Sequence, residues 1–152
     1  MAEALGLGIT AWSPLGGGFL TGKYRTGGND NRASKLGMLV HAETSARETA
    51  IIDTLLAVAQ EQAASPTHIA IAWLREKAAR GGTGLIPILG SRTREQLDAT
   101  LGALNVALSD EQVMRLNAAS AIDLGVPHVQ VAETFERLNG GRELALPRVP
   151  VA

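Results

Sequence analysis

Three observations predict an α/β fold with parallel strands covered by helices. Two short apolar runs, 9–12 (ITAW) and 85–89 (LIPIL), are bounded by glycine or proline and read as strands. Four stretches with helical spacing accompany them, each opened by its own capping residue. Strands alternating with helices in one chain form a parallel sheet. The 152 residues, 45% apolar and 19% charged, are enough for one domain-sized unit that buries a core.

Ile9, Thr10, Ala11 and Trp12 lie between Gly8 and the Ser13-Pro14 pair, where the strand must end. Residues 15–44 carry glycines at 16, 17, 18, 22, 27, 28 and 37 with Asn29, Asp30 and Asn31, and no hydrophobic period. They predict a long loop, and loops of that length inside a compact domain are more often functional than not. Ser45 and Glu48 form a capping box ahead of Ile51, Ile52, Leu55, Leu56 and Ala59. Ser65 before Pro66 caps a second helix, HIAIAWLREKAAR. Thr93 with Gln96 opens a third, and Ser109 with Gln112 a fourth. The second strand falls between helices two and three, flanked by Gly81, Gly82 and Gly90. Residues 122–152 show no such pattern and predict an irregular tail, separate from the 1–120 portion. Both strands read as buried on both faces. Two parallel strands are too few for such a sheet, and their edges need partners. The chain therefore reads as the end of a larger α/β protein.

Charge and composition exclude several function classes. Lys+Arg 14 against Asp+Glu 15 gives a net charge of -1, so no general basic surface for nucleic acid is expected. Zero cysteines exclude disulfides, thiolate metal sites and a cysteine nucleophile, and fit a reducing, cytoplasmic compartment. No apolar run approaches the ~20 residues of a membrane span, and residues 1–11, with Glu3 and no Arg or Lys, do not resemble a signal peptide. His41, His68 and His128 share no ligand spacing, so no metal site is expected. Trp73 reads as core, and Asp110 and Glu111 as dipole-matched carboxylates of a helix's first turn. Arg75, Lys77 and Arg80 read as the solvated end of a helix.

The densest motif is SPLGGGFLTGKY at 13–24. Gly17, Gly22 and Lys23 satisfy most of GxxxxGK[ST], but Tyr24 cannot supply the hydroxyl that holds magnesium, and no helix follows. That argues against nucleotide hydrolysis. A glycine-rich loop leaving the C-terminal end of a parallel strand still lets backbone approach a phosphate closely, the alternative being a structural tight turn. Gly90, Ser91 and Arg92 follow the second strand into a capped helix, offering amides, a hydroxyl and a guanidinium at a helix N-terminus. Two such sites on successive parallel strands match the place where a (β/α)8 barrel holds phosphate, after its seventh and eighth strands.

Residues 6–24 (GLGITAWSPLGGGFLTGKY) resemble the seventh-strand signature of aldo-keto reductases, most closely in the branch containing the potassium-channel β subunits and related bacterial reductases. NRAS at 31–34 is similar to that branch's loop arginine motif, and SPTHIAIAWL at 65–74 to its seventh barrel helix. LIPILGSR at 85–92 and EQLDATLGAL at 95–104 resemble the eighth strand and helix, and LSDEQ at 108–112 the start of the helix after the barrel. The resemblance runs from about Leu5 to Ser120, in order and at family spacing. It implies the C-terminal part of a (β/α)8 TIM barrel, comprising the seventh and eighth βα units, a further helix and a tail.

The resemblance also implies an NADP(H) site. Trp12 would stack on the nicotinamide. Ser13, Pro14, Leu15, Gly16 and Gly17 would line the pyrophosphate, with Lys23 and Arg32 closing over it. Gly90, Ser91, Arg92 and Gln96 would surround the adenosine 2′-phosphate. Where the family has a Glu-Asn pair at the adenosine end, this chain has Ala99 and Thr100. Thr100 keeps one hydrogen bond and Ala99 none, a loss of roughly 0.5–1.5 kcal/mol. The family's catalytic Asp, Tyr, Lys and His lie on earlier strands, and neither Tyr24 nor Lys23, Lys35 or Lys77 stands in their place. The expected function is the cofactor-binding C-terminal portion of an NADP-dependent reductase, acting on a small carbonyl or alcohol only once an N-terminal barrel half or an oligomeric partner is present. The alternatives are a non-catalytic dinucleotide-binding or partner-docking module, or a truncated remnant without function.

Overall fold

Capping side chains set where the α-helices of the first unit begin. The computed structural model describes residues 2, 5–25, 43–138 and 140, which fall into two units, Met1–Ser120 and Ala121–Ala152. The first unit runs β1 (Ile9–Ala11), a 3-10 segment (Gly16–Thr21), α1 (Ala46–Glu61), α2 (Pro66–Arg80), β2 (Leu85–Pro87), α3 (Arg94–Leu101), a 3-10 turn (Gly102–Asn105) and α4 (Asp110–Ser120). The Ser45 hydroxyl accepts from the Glu48 backbone N–H at 3.2 Å. Glu48 reaches back one residue further than an ordinary box, accepting from the Thr44 N–H at 2.7 Å. Ser65 accepts from the His68 N–H, with Pro66 supplying a first residue that needs no amide partner. Ser109 and Gln112 close a reciprocal box: the Gln112 N–H donates to the Ser109 hydroxyl, and the Ser109 N–H to the Gln112 side-chain oxygen.

The core lies between α1, α2 and α4. Ile52 and Val58 of α1, Ile69 of α2 and Val113 of α4 are at most 1% exposed. Gln112 is buried among them and fully bonded: its amide nitrogen donates to Glu61, and its oxygen also accepts from Gln62 at 2.7 Å. A buried amide with these partners avoids the penalty of an unmade hydrogen bond. Trp73 packs on the edge of this core and donates its indole N–H to Asn117 at 2.9 Å.

β1 and β2 pair in parallel, with Ile9 opposite Leu85, Thr10 opposite Ile86 and Ala11 opposite Pro87. The Ile88 N–H donates to the Ala11 carbonyl, so by the alternation of a strand the missing N–H of Pro87 falls on the edge away from β1. The strands are shorter than expected, and they are not buried on both faces. Residues 85, 87 and 89 are half-buried, on the side where α2 packs against β2, whereas Thr10 and Ile86 are exposed, Ile86 at 66%. Among the described residues no second layer covers that face, so an apolar run that resembles a two-sided core strand is covered on one side only.

Two further expectations need correction. The loop read over 15–44 contains the 3-10 segment Gly16–Thr21, interrupted at Gly17 and Gly18, whose φ angles are +66° and +102°. Glycine reaches these angles without steric cost, letting the chain coil tightly enough to bring Phe19 into the core. The tail expected to be irregular contains α5 (His128–Leu138) in the second unit. Its apolar residues Val131, Phe135 and Leu138 recur at helical spacing, but no Ser/Thr box announces it. The Asp123 carboxylate instead accepts from the Gly125 N–H, and the carbonyls of Gly125 and Pro127 accept from Val129 and Val131.

Truncating Ile69 to Ala leaves a cavity between α1, α2 and α4. Urea denaturation is expected to show a loss of about 2–5 kcal/mol, against about 1 kcal/mol for Ser65→Ala, which removes only a cap.

Candidate functional site

Parallel pairing brings the C-terminal ends of β1 and β2 side by side, so the chains leaving them start as neighbours. Trp12 follows β1 directly and is 69% exposed. Thr10, Trp12, Ile86 and Ile88 share the uncovered face by strand alternation. Ser13 then turns sharply with φ +52°. Its carbonyl accepts from the Gly16 N–H at 2.8 Å and its hydroxyl oxygen from the Gly17 N–H at 3.1 Å. The Leu15 carbonyl accepts from the Gly18 and Leu20 amides. The amides of Gly16 and Gly17 are therefore committed inside the loop. What the loop offers outward is close backbone approach and the hydroxyl proton of Ser13. Pro14 and Leu15 are half-buried, and Leu15 packs against the core.

Lys23 and Tyr24 fold back over this loop. The Tyr24 hydroxyl donates to the Gly17 carbonyl at 3.3 Å, and the Lys23 ammonium lies 5.1 Å from the centre of the Tyr24 ring. A methyl group on Gly18 would meet Lys23 Cε at 3.1 Å and the Tyr24 hydroxyl at 3.3 Å. Tyr24 is thus a brace of the loop.

After β2, Gly90 faces open space, Ser91 is half-buried and Arg92 is exposed. Thr93 caps α3 by accepting from the Gln96 N–H, and the Gln96 side-chain oxygen accepts from the Arg92 N–H at 3.0 Å. The Arg92 backbone N–H is thereby committed, while the Arg92 guanidinium and the Gln96 amide NH2 are donors at this corner. Thr100 donates its hydroxyl to the Gln96 carbonyl one turn back, so toward a ligand it can only accept. Glu95 also sits in the first turn, where its own N–H and the Thr93 hydroxyl hold its carboxyl below the usual range. The helix N-terminus read as an anion site therefore already faces one carboxylate. His68 contacts the Ala99 carbonyl through Nε2 at 2.5 Å, a link between α2 and α3. Among the described residues no three His, Cys, Asp or Glu side chains group as metal ligands, and no helix is long and apolar enough to cross a membrane. Arg32, like His41 and Lys35, lies outside the described residues.

One group escaped the sequence reading. Arg25 bonds Glu43 through two parallel contacts of 2.7 and 2.5 Å, reaches Asp53, and donates to the Thr49 carbonyl. Hydrogen bonds from Arg25, then from Thr49, pull the Glu43 carboxyl down to about 2. No local spacing signals a cluster whose members stand 18 and 28 positions apart.

Residues 1–121 match the model of the Aldo/keto reductase family. The chain belongs to the aldo/keto reductase family. Probable aldo-keto reductase 1 of Glycine max is 30% identical over 126 residues, which are 80% of this chain and 34% of that protein. Uncharacterized oxidoreductase YrpG of Bacillus subtilis is 31% identical over 116 residues, 76% of this chain and 33% of that protein. The chain thus spans about a third of the length of these two relatives. A Saccharomyces cerevisiae protein with a provisional aryl-alcohol dehydrogenase name is 31% identical over 129 residues, 84% of this chain and 82% of that protein. Family membership implies oxidoreductase chemistry with a nicotinamide cofactor on a (β/α)8 fold. Among the described residues the chain itself shows a helix-rich α/β arrangement with a two-stranded parallel sheet.

Gly18→Ala in this reductase-family chain is expected to cost about 1–3 kcal/mol, because φ +102° is strained for any residue with a Cβ. Thermal melting checks it, with Gly84→Ala as a comparison at a site without positive φ and with nothing within 4 Å of an added Cβ. Glu43, lowered from 4.5 to about 2, contributes stability that is full above 4.5 and disappears as pH falls toward 2. The stability gap between wild type and Glu43→Gln should therefore close over that window, measured by urea denaturation at stepped pH.

Proposed function

We propose that this chain is the NADP(H)-binding C-terminal portion of an aldo-keto reductase. One observation carries the reading: exposed Trp12 and the loop 13–17 leave β1 beside the open corner of Gly90 and Arg92 leaving β2. Trp12 supplies a flat apolar face for the nicotinamide. Ser13, Pro14, Leu15, Gly16 and Gly17 lie along the pyrophosphate, with Lys23 and Arg32 supplying positive charge. Gly90, Ser91, Arg92 and Gln96 take the 2′-phosphate, and Thr100 accepts one hydrogen bond at the adenosine end. The described residues fit such a group, since Gly90 leaves room for it and Arg92 is exposed beside that space.

A bound nicotinamide would supply hydride to a small carbonyl. The proton for the new alcohol would come from a tyrosine outside these 152 residues, as would the Asp, Lys and His of the tetrad. The carbonyl substrate and that N-terminal half are the partners of the complete enzyme, which we place in the cytoplasm. A second reading, a non-catalytic dinucleotide-binding or partner-docking module, is favoured by the exposed apolar face of Trp12, Ile86 and Ile88.

Titration with NADPH is expected to quench tryptophan fluorescence saturably in wild type and in Trp73→Phe, and not in Trp12→Ala. Quenching that survives Trp12→Ala removes Trp12 from the nicotinamide. Arg92→Ala should weaken NADPH by roughly tenfold or more, the scale of one charge-assisted bond, and leave NADH nearly unchanged. Equal losses for both cofactors would remove Arg92 from the 2′-phosphate. NADPH oxidation dependent on an added carbonyl, by the 152 residues alone, would contradict the placement of the tetrad outside them.

A further inference from the structure

We propose that Arg25 is a positioning residue for the dinucleotide loop, holding the turn at residues 22–25 on α1 so that Lys23 and Tyr24 stay seated over Gly17 and Gly18. The inference rests on the dinucleotide-binding reading above. The turn closes through the Arg25 N–H, which donates to the Gly22 carbonyl at 3.1 Å. Lys23 and Tyr24 are its two central residues. Each end of the turn is tied separately to the same helix. Gly22, at φ +72°, lies so close to α1 that a Cβ would stand 3.2 Å from Leu56 Cδ2. At the other end, Arg25 reaches the residues leading into α1 and its first turns, through Glu43, the Thr49 carbonyl and Asp53. A planar guanidinium bonded by two nitrogens to one carboxylate fixes direction as well as distance.

Between these two anchors the central side chains have one place to go, back across the glycine-rich segment. There Tyr24 donates to the Gly17 carbonyl, and the Lys23 stem passes the Cα of Gly18. Lys23 is the cation assigned to the pyrophosphate, and Gly17 belongs to the loop that approaches it. The Arg25 guanidinium itself is bonded toward α1, to Glu43, Asp53 and the Thr49 carbonyl. Its side chain and that of Glu43 are each 28% exposed and outside the core of Phe19, Ile52 and Ile69. Removing it should therefore loosen the lysine without dismantling the fold.

The test measures NADPH and adenosine 2′-monophosphate affinity for wild type, Arg25→Ala and Glu43→Gln by calorimetry, with thermal melting of each. Glu43→Gln retains the size of the side chain, so it separates loss of the ion pair from failure to fold. The expected result is a loss of about five-fold in NADPH affinity in both variants, the scale of a partly exposed ion pair. Affinity for adenosine 2′-monophosphate, which lacks both phosphates of the pyrophosphate and the nicotinamide half, should be unchanged. Unaltered NADPH affinity in both variants overturns the proposal. So does a parallel loss of both ligands, which is the signature of a general weakening of the fold. Failure of the wild-type chain to bind either ligand overturns the dinucleotide reading itself, a different outcome from the other two.

Discussion

Burial of Phe19 in the apolar cluster shared by α1, α2 and α4 ties the glycine-rich segment to the helical core, and the placement of the loop after β1 depends on that attachment. β1 has only three residues and one described neighbour, so the strand alone could not hold the chain that leaves it. Phe19 sits three residues beyond Gly16, and Leu15 and Leu20 pack against the same cluster. The loop that follows Trp12 is therefore fixed from beyond, by apolar burial. Positive φ at Gly16, Gly17 and Gly18 is what lets so short a segment turn from the strand end into that core.

Polar contacts then refine what burial positions. Inside the loop, Ser13 and Leu15 take up the amides of Gly16, Gly17 and Gly18, so the segment holds its shape through its own bonds. Such preorganisation lowers the ordering cost of binding but leaves fewer amides for a ligand. Under the proposed dinucleotide reading, recognition of an anion would fall on side chains: the Ser13 hydroxyl, Lys23, Arg92 and the Gln96 amide. The same division appears after β2, where Gln96 and Thr93 satisfy the start of α3 and Glu95 adds a carboxylate there. Positive charge from Arg92 is thus set beside a negative first turn, an arrangement that favours a ligand able to engage the guanidinium directly.

The family match over residues 1–121 and the uncovered face of the sheet bear on each other. In a closed (β/α)8 barrel, alternate residues of each strand point into the barrel and the others toward the helices. Ile86 and Ile88 project on the exposed side, and Leu85 and Pro87 toward α2. The chain builds the helix-facing layer well, with a core of its own. The other face of the sheet presents the apolar side chains of Ile86 and Ile88, both exposed.

Much of this fold is legible in the sequence because its signals are local. Ser45, Ser65, Thr93 and Ser109 cap the helices they were expected to cap, since a cap joins groups only two or three residues apart. The parallel order of the strands was legible from the helices between them. The 3-10 coil at Gly16–Thr21 was not, because glycine permits its φ angles without demanding them and the burial of Phe19 selects among them. α5 was missed because its entry depends on Asp123 and backbone carbonyls in place of a Ser/Thr box. One-sided burial of β1 and β2 could not be read from their composition, because the same apolar residues serve a strand covered on one face or on both. The Arg25, Glu43 and Asp53 cluster likewise had no sequence signature. Sequence alone determined caps, strand order and the family's motif spacing, all short-range properties. Tertiary structure decided which faces are buried, which amides are spent within the loop and which charges meet, because those depend on residues far apart in the chain.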